Sequence, residues 1–561
     1  MSSESEPSRK GFLRAFAKAT RDSLKETFNA VGGTIEQGAK SPSKKANPVK
    51  FEEAKKVTPH SATSTANLPT SSVALRPRNG QTPPNTTPIN AWEETGAPKI
   101  PSNLTEEEKE VYRSLITVRK TRILGSQGQE VAPPRVIVIT DLGKDYDDLA
   151  AMVVLKELHR LGLIELEGFI ANLHPPQERA KLARGCLDSL GLEDIPVAWG
   201  EEAQADATKR EPPHYYEFPK NADYFSSIYS KDASFTPYDQ EKADPAEIES
   251  GVRLLDRLVL SRSEPRPTGQ KPRGSMTFLC ISGLADIATY AKREPEKLAK
   301  VTKNVVLQGD YSIQLGPHSC HAILTPNLTA ANNSFDQQAA KEWHEYMDNH
   351  QIPSVVYTST AAANARLAPT VFDEMRDTMH PIGQHLRTIQ RIQDLHYYKT
   401  ACNKDPTKRF LPRCDQGWFL RTKTNWEQAY PDKETRPKPP VGEEVLNYVQ
   451  LVCYDAVAAL GTAGNDVLDA LDLLKPKELF ENLGPDIHMV VGVPAAKEGD
   501  VVKKPERPGV NSENMQLALT ALLKGSLMAV QEGIPSSHTS GRMWTDANTL
   551  AASAAIGTGA A

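Results

Sequence analysis

The chain has few of the features that settle a protein's class at a glance. No stretch approaches the roughly 18 consecutive apolar residues of a membrane-spanning helix, so none is expected. Its six cysteines (186, 280, 320, 402, 414 and 453) never take CxxC spacing, which argues against a zinc site and a disulfide framework. Three of them fall in apolar or helical patterns, where a thiol packs as a small hydrophobe. That usage points to a reducing compartment, and we place the chain in the cytoplasm. Charge of either sign is barely in excess. A net charge of −5 gives no electrostatic reason to expect nucleic acid as a partner. There is no internal repeat.

What is present is concentrated in residues 136–148, VIVITDLGKDYDD. Four apolar β-formers run into Thr140 and Asp141, Gly143 follows, and Asp145, Asp147 and Asp148 arrive close behind. A buried parallel strand reads as such a short apolar run, and open α/β sheets place their sites at its carboxyl end. Carboxylates this close repel one another unless something positive sits among them. Calcium is the natural candidate, since it takes about six to eight oxygen ligands and accepts carboxylates readily. The plainer alternative is a solvated acidic turn before a helix, whose first turn favours aspartate anyway.

Around this stretch the chain divides into three regions. Residues 1–130 hold a Pro/Ser/Thr/Asn-rich segment from about 40 to 102 that buries too little apolar surface to offset its ordering, so disorder is expected there. Near 9–31, Phe12, Phe16, Leu24 and Phe28 mark a basic amphipathic helix suited to a membrane surface or a docking partner. A short charged helix is expected over 104–124. Residues 131–485 alternate strand and helix: strands at 164–171, 195–199, 276–282, 301–308 and 353–358, and helices at 176–190, 246–262, 284–292 and 337–349. This rhythm predicts an α/β fold with an open, mostly parallel sheet and helices on both faces. Residues 202–245 interrupt it as a lid or a surface insertion. Long helical patterns are expected near 370–399 and 443–461. Residues 486–561 hold a last helix near 512–533 and a loose tail.

At the acidic stretch the sequence resembles the inosine-uridine-preferring nucleoside hydrolases, whose first strand ends in Asp-x-Asp-x-Gly-x-Asp-Asp. Asp141, Gly143, Asp147 and Asp148 fit that pattern when Asp145-Tyr146 is a two-residue insertion, with Ile139 at the leading aspartate. Further matches follow in order. GFIAN, ending at Asn172, resembles the second-strand GN signature, and EDIPVAWG resembles the DVPVxxG strand. ISGLADIA, starting at Ile281, resembles GPLTNLA. VVLQGD and TPNLTAANNSFD resemble MGG and TPxAEFNxxxD, which puts Asn332 on the sugar-binding asparagine and Asp336 on the later aspartate. CYDAVAAL resembles HDPLAV at Asp455.

The resemblance implies calcium held by Asp141, Asp148, Asp455 and the carbonyl of Ile281, with Asp141 as general base. It implies that Asp147, Asn172, Asn332 and Asp455 contact the substrate, the ribose hydroxyls above all. The expected reaction is hydrolysis of the N-glycosidic bond of a small-molecule nucleoside or related riboside, by a homodimer or homotetramer. Three positions depart from the pattern: Tyr454 replaces the histidine that assists the leaving base, Ala330 replaces the glutamate of AEFN, and Ile139 replaces the first aspartate. These departures keep open a second expectation, a binding or regulatory protein that retains the fold without turnover. An aspartate-nucleophile phosphatase would need a second aspartate where Gly143 stands.

Overall fold

The computed structural model describes residues 98–125, 131–143, 145–203, 228–230, 233–235, 247–263, 275–315, 322–410, 412–475, 487–492 and 509–535. The expected 9–31 helix, the Pro/Ser/Thr-rich segment up to residue 97, most of 202–245 and the tail after 535 lie outside them.

In chain order the principal elements are helix α1 (Glu106–Leu124), β1 (Arg135–Thr140), α2 (Asp147–Arg160), β2 (Glu165–Ala171), α3 (Pro176–Ser189), β3 (Val197–Trp199) and β4 (Ile248–Ser250). Then come α4 (Gly251–Ser263), β5 (Met276–Cys280), α5 (Ala285–Arg293), α6 (Pro295–Val301), β6 (Thr302–Gln308), β7 (Tyr311–Leu315) and β8 (Ala322–Pro326). The remainder comprises α7 (Ala331–Phe335), α8 (Gln337–Asn349), β9 (Ser354–Tyr357), α9 (Thr370–Asp377), α10 (Pro381–Ala401), α11 (Gln416–Lys423), α12 (Tyr454–Gly461), β10 (His488–Val491) and α13 (Ser512–Gln531).

Eight strands form one sheet in the order β10-β9-β6-β5-β1-β2-β3-β4, and every pairing is parallel. Strands β1 to β4 grow outward on one side of β1, whereas β5 returns to its other side. The strand order therefore reverses between β1 and β5, and such a switch point opens a crevice beyond the carboxyl ends of its strands. Asp141 and Ile281 are the residues that follow those two ends. Two apolar clusters fill the faces: Val136 and Val138 of β1 belong to one, Ile137 and Ile139 to the other. Ile139 is thus core, in agreement with its apolar character.

Helix α2 is buried along its whole length, charges included. Tyr112 of α1 donates to Glu157 at 2.6 Å, Arg160 donates to the same carboxylate at 2.6 Å, and Lys156 donates to the Ser526 carbonyl of α13 at 2.8 Å. Burial opposes the charge of Glu157, yet Lys156 and Arg160 outweigh it and hold the carboxyl down at about 2. Arg122 of α1 reaches the Leu163 carbonyl at 2.7 Å and Asp466 at 2.6 Å, and Lys524 of α13 meets Glu108 of α1 at 2.6 Å. Helix α1 is therefore packed into the fold through buried polar contacts with α2 and α13.

Other differences have local causes. The start of the helix expected at 246 is strand β4, whose three residues are too few to show a period. The helix expected over 370–399 is two: Met379 takes φ 61° and Pro381, lacking an N–H, opens α10. The helix expected at 443–461 is a 3-10 turn followed by extended chain, which bridges Thr424 to Val449 and Leu367 to Leu451 before α12 begins. The β7–β8 hairpin and β10 are additions to the expected plan. Among the described residues no disulfide forms, and no helix is long and apolar enough to cross a membrane.

Candidate active site

The site is built on the turn from β1 to α2. Gly143 adopts φ 101°, a conformation that disfavours other residues and lets the chain reverse immediately after the strand. Asp147 and Asp148 then fall in the first turn of α2, where the helix dipole favours negative charge. Carboxylate oxygens of Asp145, Asp147 and Asp148 lie within 4.8 Å of one another. Asp148 accepts a hydrogen bond of 2.5 Å from the Thr140 hydroxyl. Asp147 is only 8% exposed, and its Oδ1 has no hydrogen-bond partner. Burial, then the charges of Asp145 and Asp455, push its carboxyl well above the usual range.

Asp141, directly after β1, is also buried. Asp455 enters from α12, which packs against α2, and its charge is felt at Asp147. Ile281 follows Cys280, the register partner of Ile139, and its N–H donates to the Ile139 carbonyl at 3.0 Å. The main chain after β5 thus runs alongside the start of the acidic loop. Asn332, in α7, donates from Nδ2 to the Gln308 side chain at 2.8 Å at the carboxyl end of β6. Asp336 caps α8 by accepting from the Ala339 N–H at 2.9 Å.

Asn172 is engaged within the fold. Its Nδ2 donates to the Gly283 carbonyl and to Asp286, each at 2.8 Å, while Oδ1 accepts from Ser282 at 2.5 Å. Any contact with a ligand has only the remaining lone pair of Oδ1 to use.

Two cations flank the acids, and neither is visible in the sequence pattern. Arg179 of α3 is fully buried and donates to the carbonyls of Asp141, Leu142 (3.0 Å) and His174 (3.2 Å). Burial lowers its pKa, and the charges of Asp141, Asp148 and Asp145 oppose that shift. Lys423, the last residue of α11, places Nζ 4.8 Å from the ring centre of Tyr454. Burial raises the pKa of Asp394 in α10 to about 6, against the pull of Lys423 and a hydrogen bond from Gln390. Of the histidines near the sheet's carboxyl edge, His174 is exposed and lies 3.5 Å from Glu202. His214, His318 and His321 lie outside the described residues.

The atoms brought together are carboxylate oxygens of Asp145, Asp147 and Asp148, which suit a metal cation. Oδ1 of Asp147 is an acceptor that the fold itself does not satisfy. The residues present therefore fit such an ion.

No protein-family model and no curated protein matches the chain. Among solved structures, effector protein XOO4466 aligns with TM-score 0.52 and 21% identity, over 76% of this chain and 99% of that one. The type III effector protein XopQ, in complex with adenosine diphosphate ribose, aligns with TM-score 0.51 and 21% identity, over 76% and 100%. At that identity the likeness is one of fold. A purine-preferring ribonucleoside hydrolase from Gardnerella vaginalis aligns with TM-score 0.37 and 14% identity over 70% and 99%, too low a score to bear on the site.

Proposed function

We propose that the chain hydrolyses the N-glycosidic bond of a ribonucleoside or related riboside, giving ribose and a free base, with calcium as cofactor. The observation that carries this reading is the cluster around Asp147: three carboxylates within 4.8 Å, one oxygen buried without a partner, at the switch point of a parallel sheet. Asp141, Asp148, Asp455 and the Ile281 carbonyl would hold the ion. When bound, calcium supplies charge that lowers the pKa of a water molecule. Asp141 takes the proton of the attacking water. Asp147, Asn332 and Asp455 hold the ribose hydroxyls, and those contacts strengthen as positive charge develops on the flattening sugar ring. The structural neighbour XopQ holds adenosine diphosphate ribose, which contains an adenine riboside, and this supports a riboside ligand.

A second reading, binding without turnover, is favoured by Tyr454 at the position of the leaving-group histidine and by Ile139 in the core. One experiment separates the two. The purified full chain is incubated with calcium and a panel of ribonucleosides, and free ribose is scored. Ribose release that is lost on chelation supports hydrolysis; ligand binding without release selects the second reading.

A further inference from the structure

Lys423 is 7% exposed, and among the described residues its ammonium makes no hydrogen bond and no ion pair. Its N–H bonds are thus available to an acceptor that arrives from elsewhere. What surrounds it indicates where that acceptor would sit. Its Nζ lies 4.8 Å from the ring centre of Tyr454, a cation–π contact that places the ammonium beside the residue preceding Asp455. Burial lowers its pKa, but the neighbouring Tyr454 and the acids Asp394, Asp147 and Asp145 outweigh that and raise it. The backbone behind it is anchored: Arg366 donates to the carbonyls of Arg421 (3.0 Å) and Thr424 (3.2 Å), on either side of Lys423. The side chain thus stands near Asp147 and Asp145, whereas the N–H bonds of Arg179 go to the chain's own carbonyls.

We propose that Lys423 is a catalytic residue that acts on the leaving base, taking the part that a histidine at position 454 would otherwise play. The inference rests on the hydrolase reading above. As the bond from C1′ to the base nitrogen breaks, its electron pair passes to the base. The ammonium donates a hydrogen bond to a ring nitrogen or carbonyl oxygen of that base and then the proton it needs to depart neutral. The water oxygen bonds to C1′ and its proton goes to Asp141, so one proton enters the protein as one leaves it. Solvent then reprotonates Lys423 and takes the proton held by Asp141, which restores both groups. The substrate class that follows is a riboside whose base carries an acceptor within reach of the ammonium, as purines and pyrimidines do.

The test uses the full chain with calcium, as wild type, Lys423→Met and Lys423→Arg, on adenosine and on nitrophenyl riboside, whose leaving group needs no proton. Lys423→Met is expected to lose about 10²-fold or more in adenosine turnover, the scale of general acid catalysis. Its loss with nitrophenyl riboside should be at least 10-fold smaller, and Lys423→Arg, whose guanidinium donates a hydrogen bond but does not give up its proton, should not restore the full adenosine rate. Equal losses on both substrates would overturn the proposal, because a packing role affects both alike. Adenosine binding, measured calorimetrically, keeps the two readings apart. Where the wild type binds adenosine without releasing ribose, the hydrolase reading fails. Weaker adenosine binding by Lys423→Met would then support the lysine as a ligand contact, and equal binding would refute it. A wild type that neither binds nor hydrolyses refutes both.

Discussion

The side chain of Asn172 donates to the carboxylate of Asp286 at 2.8 Å, and the same carboxylate accepts from the Glu201 N–H at 2.9 Å. One buried acid in the first turn of α5 therefore ties together the chain leaving β2, β3 and β5. Gly200 and Gly251 leave it room, since a side-chain carbon at Gly200 would meet Asp286 at 2.6 Å.

Burial raises the Asp286 carboxyl to about 7, with the hydrogen bonds from Asn172 and Glu201 pulling the other way. Its ordinary value is 3.8, so the folded protein binds this proton more tightly than the unfolded chain does. The contribution is fully present below pH 3.8 and is lost as pH rises through about 7. Measured by urea unfolding, the stability of wild type relative to Asp286→Asn should decline between these limits. A difference that stays flat with pH would contradict the assignment.

Helix α1 should be indispensable to folding. A chain beginning at Pro98 is expected to melt as the full chain does. One beginning at Ser126 loses Tyr112 against Glu157 and Arg122 against Asp466, and leaves Glu157 and Lys524 buried with fewer partners. Removing one partner from buried charges costs roughly 3–5 kcal/mol, and here several go at once. Thermal denaturation of the two truncated chains decides it; equal melts would show α1 to be an ornament.

Removal of the metal should be visible without any substrate. A ligand bound only by the folded state stabilises it by mass action, so chelation should lower Tm by an amount that depends on free calcium. Asp148→Asn should abolish that dependence while retaining the contact with Thr140, seen at 2.5 Å. Equal calcium affinity in wild type and Asp148→Asn would rule out the proposed ligand set.

The parallel core was legible because its strands are short apolar runs closed by turn residues, and β1 with its acids is the clearest of them. Strand β4 was not, since three residues carry no period. Helix α2 has no exposed face, because α12 and α13 pack against it and Tyr112 of α1 reaches its Glu157. At the site, the nearness of Asp145, Asp147 and Asp148 follows from local sequence. The influence of Asp455 on Asp147 was expected only through the resemblance. Arg179 and Lys423 are ordinary helical cations in sequence; only the fold brings them to the acids. The same holds for Asn172, whose carboxamide turned out to join loops.

The central claim is a hydrolytic site in which Asp141 acts as the base. The most direct measurement is ribose release from ribonucleosides by the full chain with calcium, comparing wild type, Asp141→Asn and Asp147→Ala. The account predicts release by wild type and none detectable from Asp141→Asn, which loses the proton acceptor and a metal ligand together. Asp147→Ala should fall by roughly 10²-fold or more, as expected when a contact made chiefly in the transition state is removed, yet still bind calcium. Release by Asp141→Asn at the wild-type rate, or none from the wild type with any ribonucleoside, would contradict it.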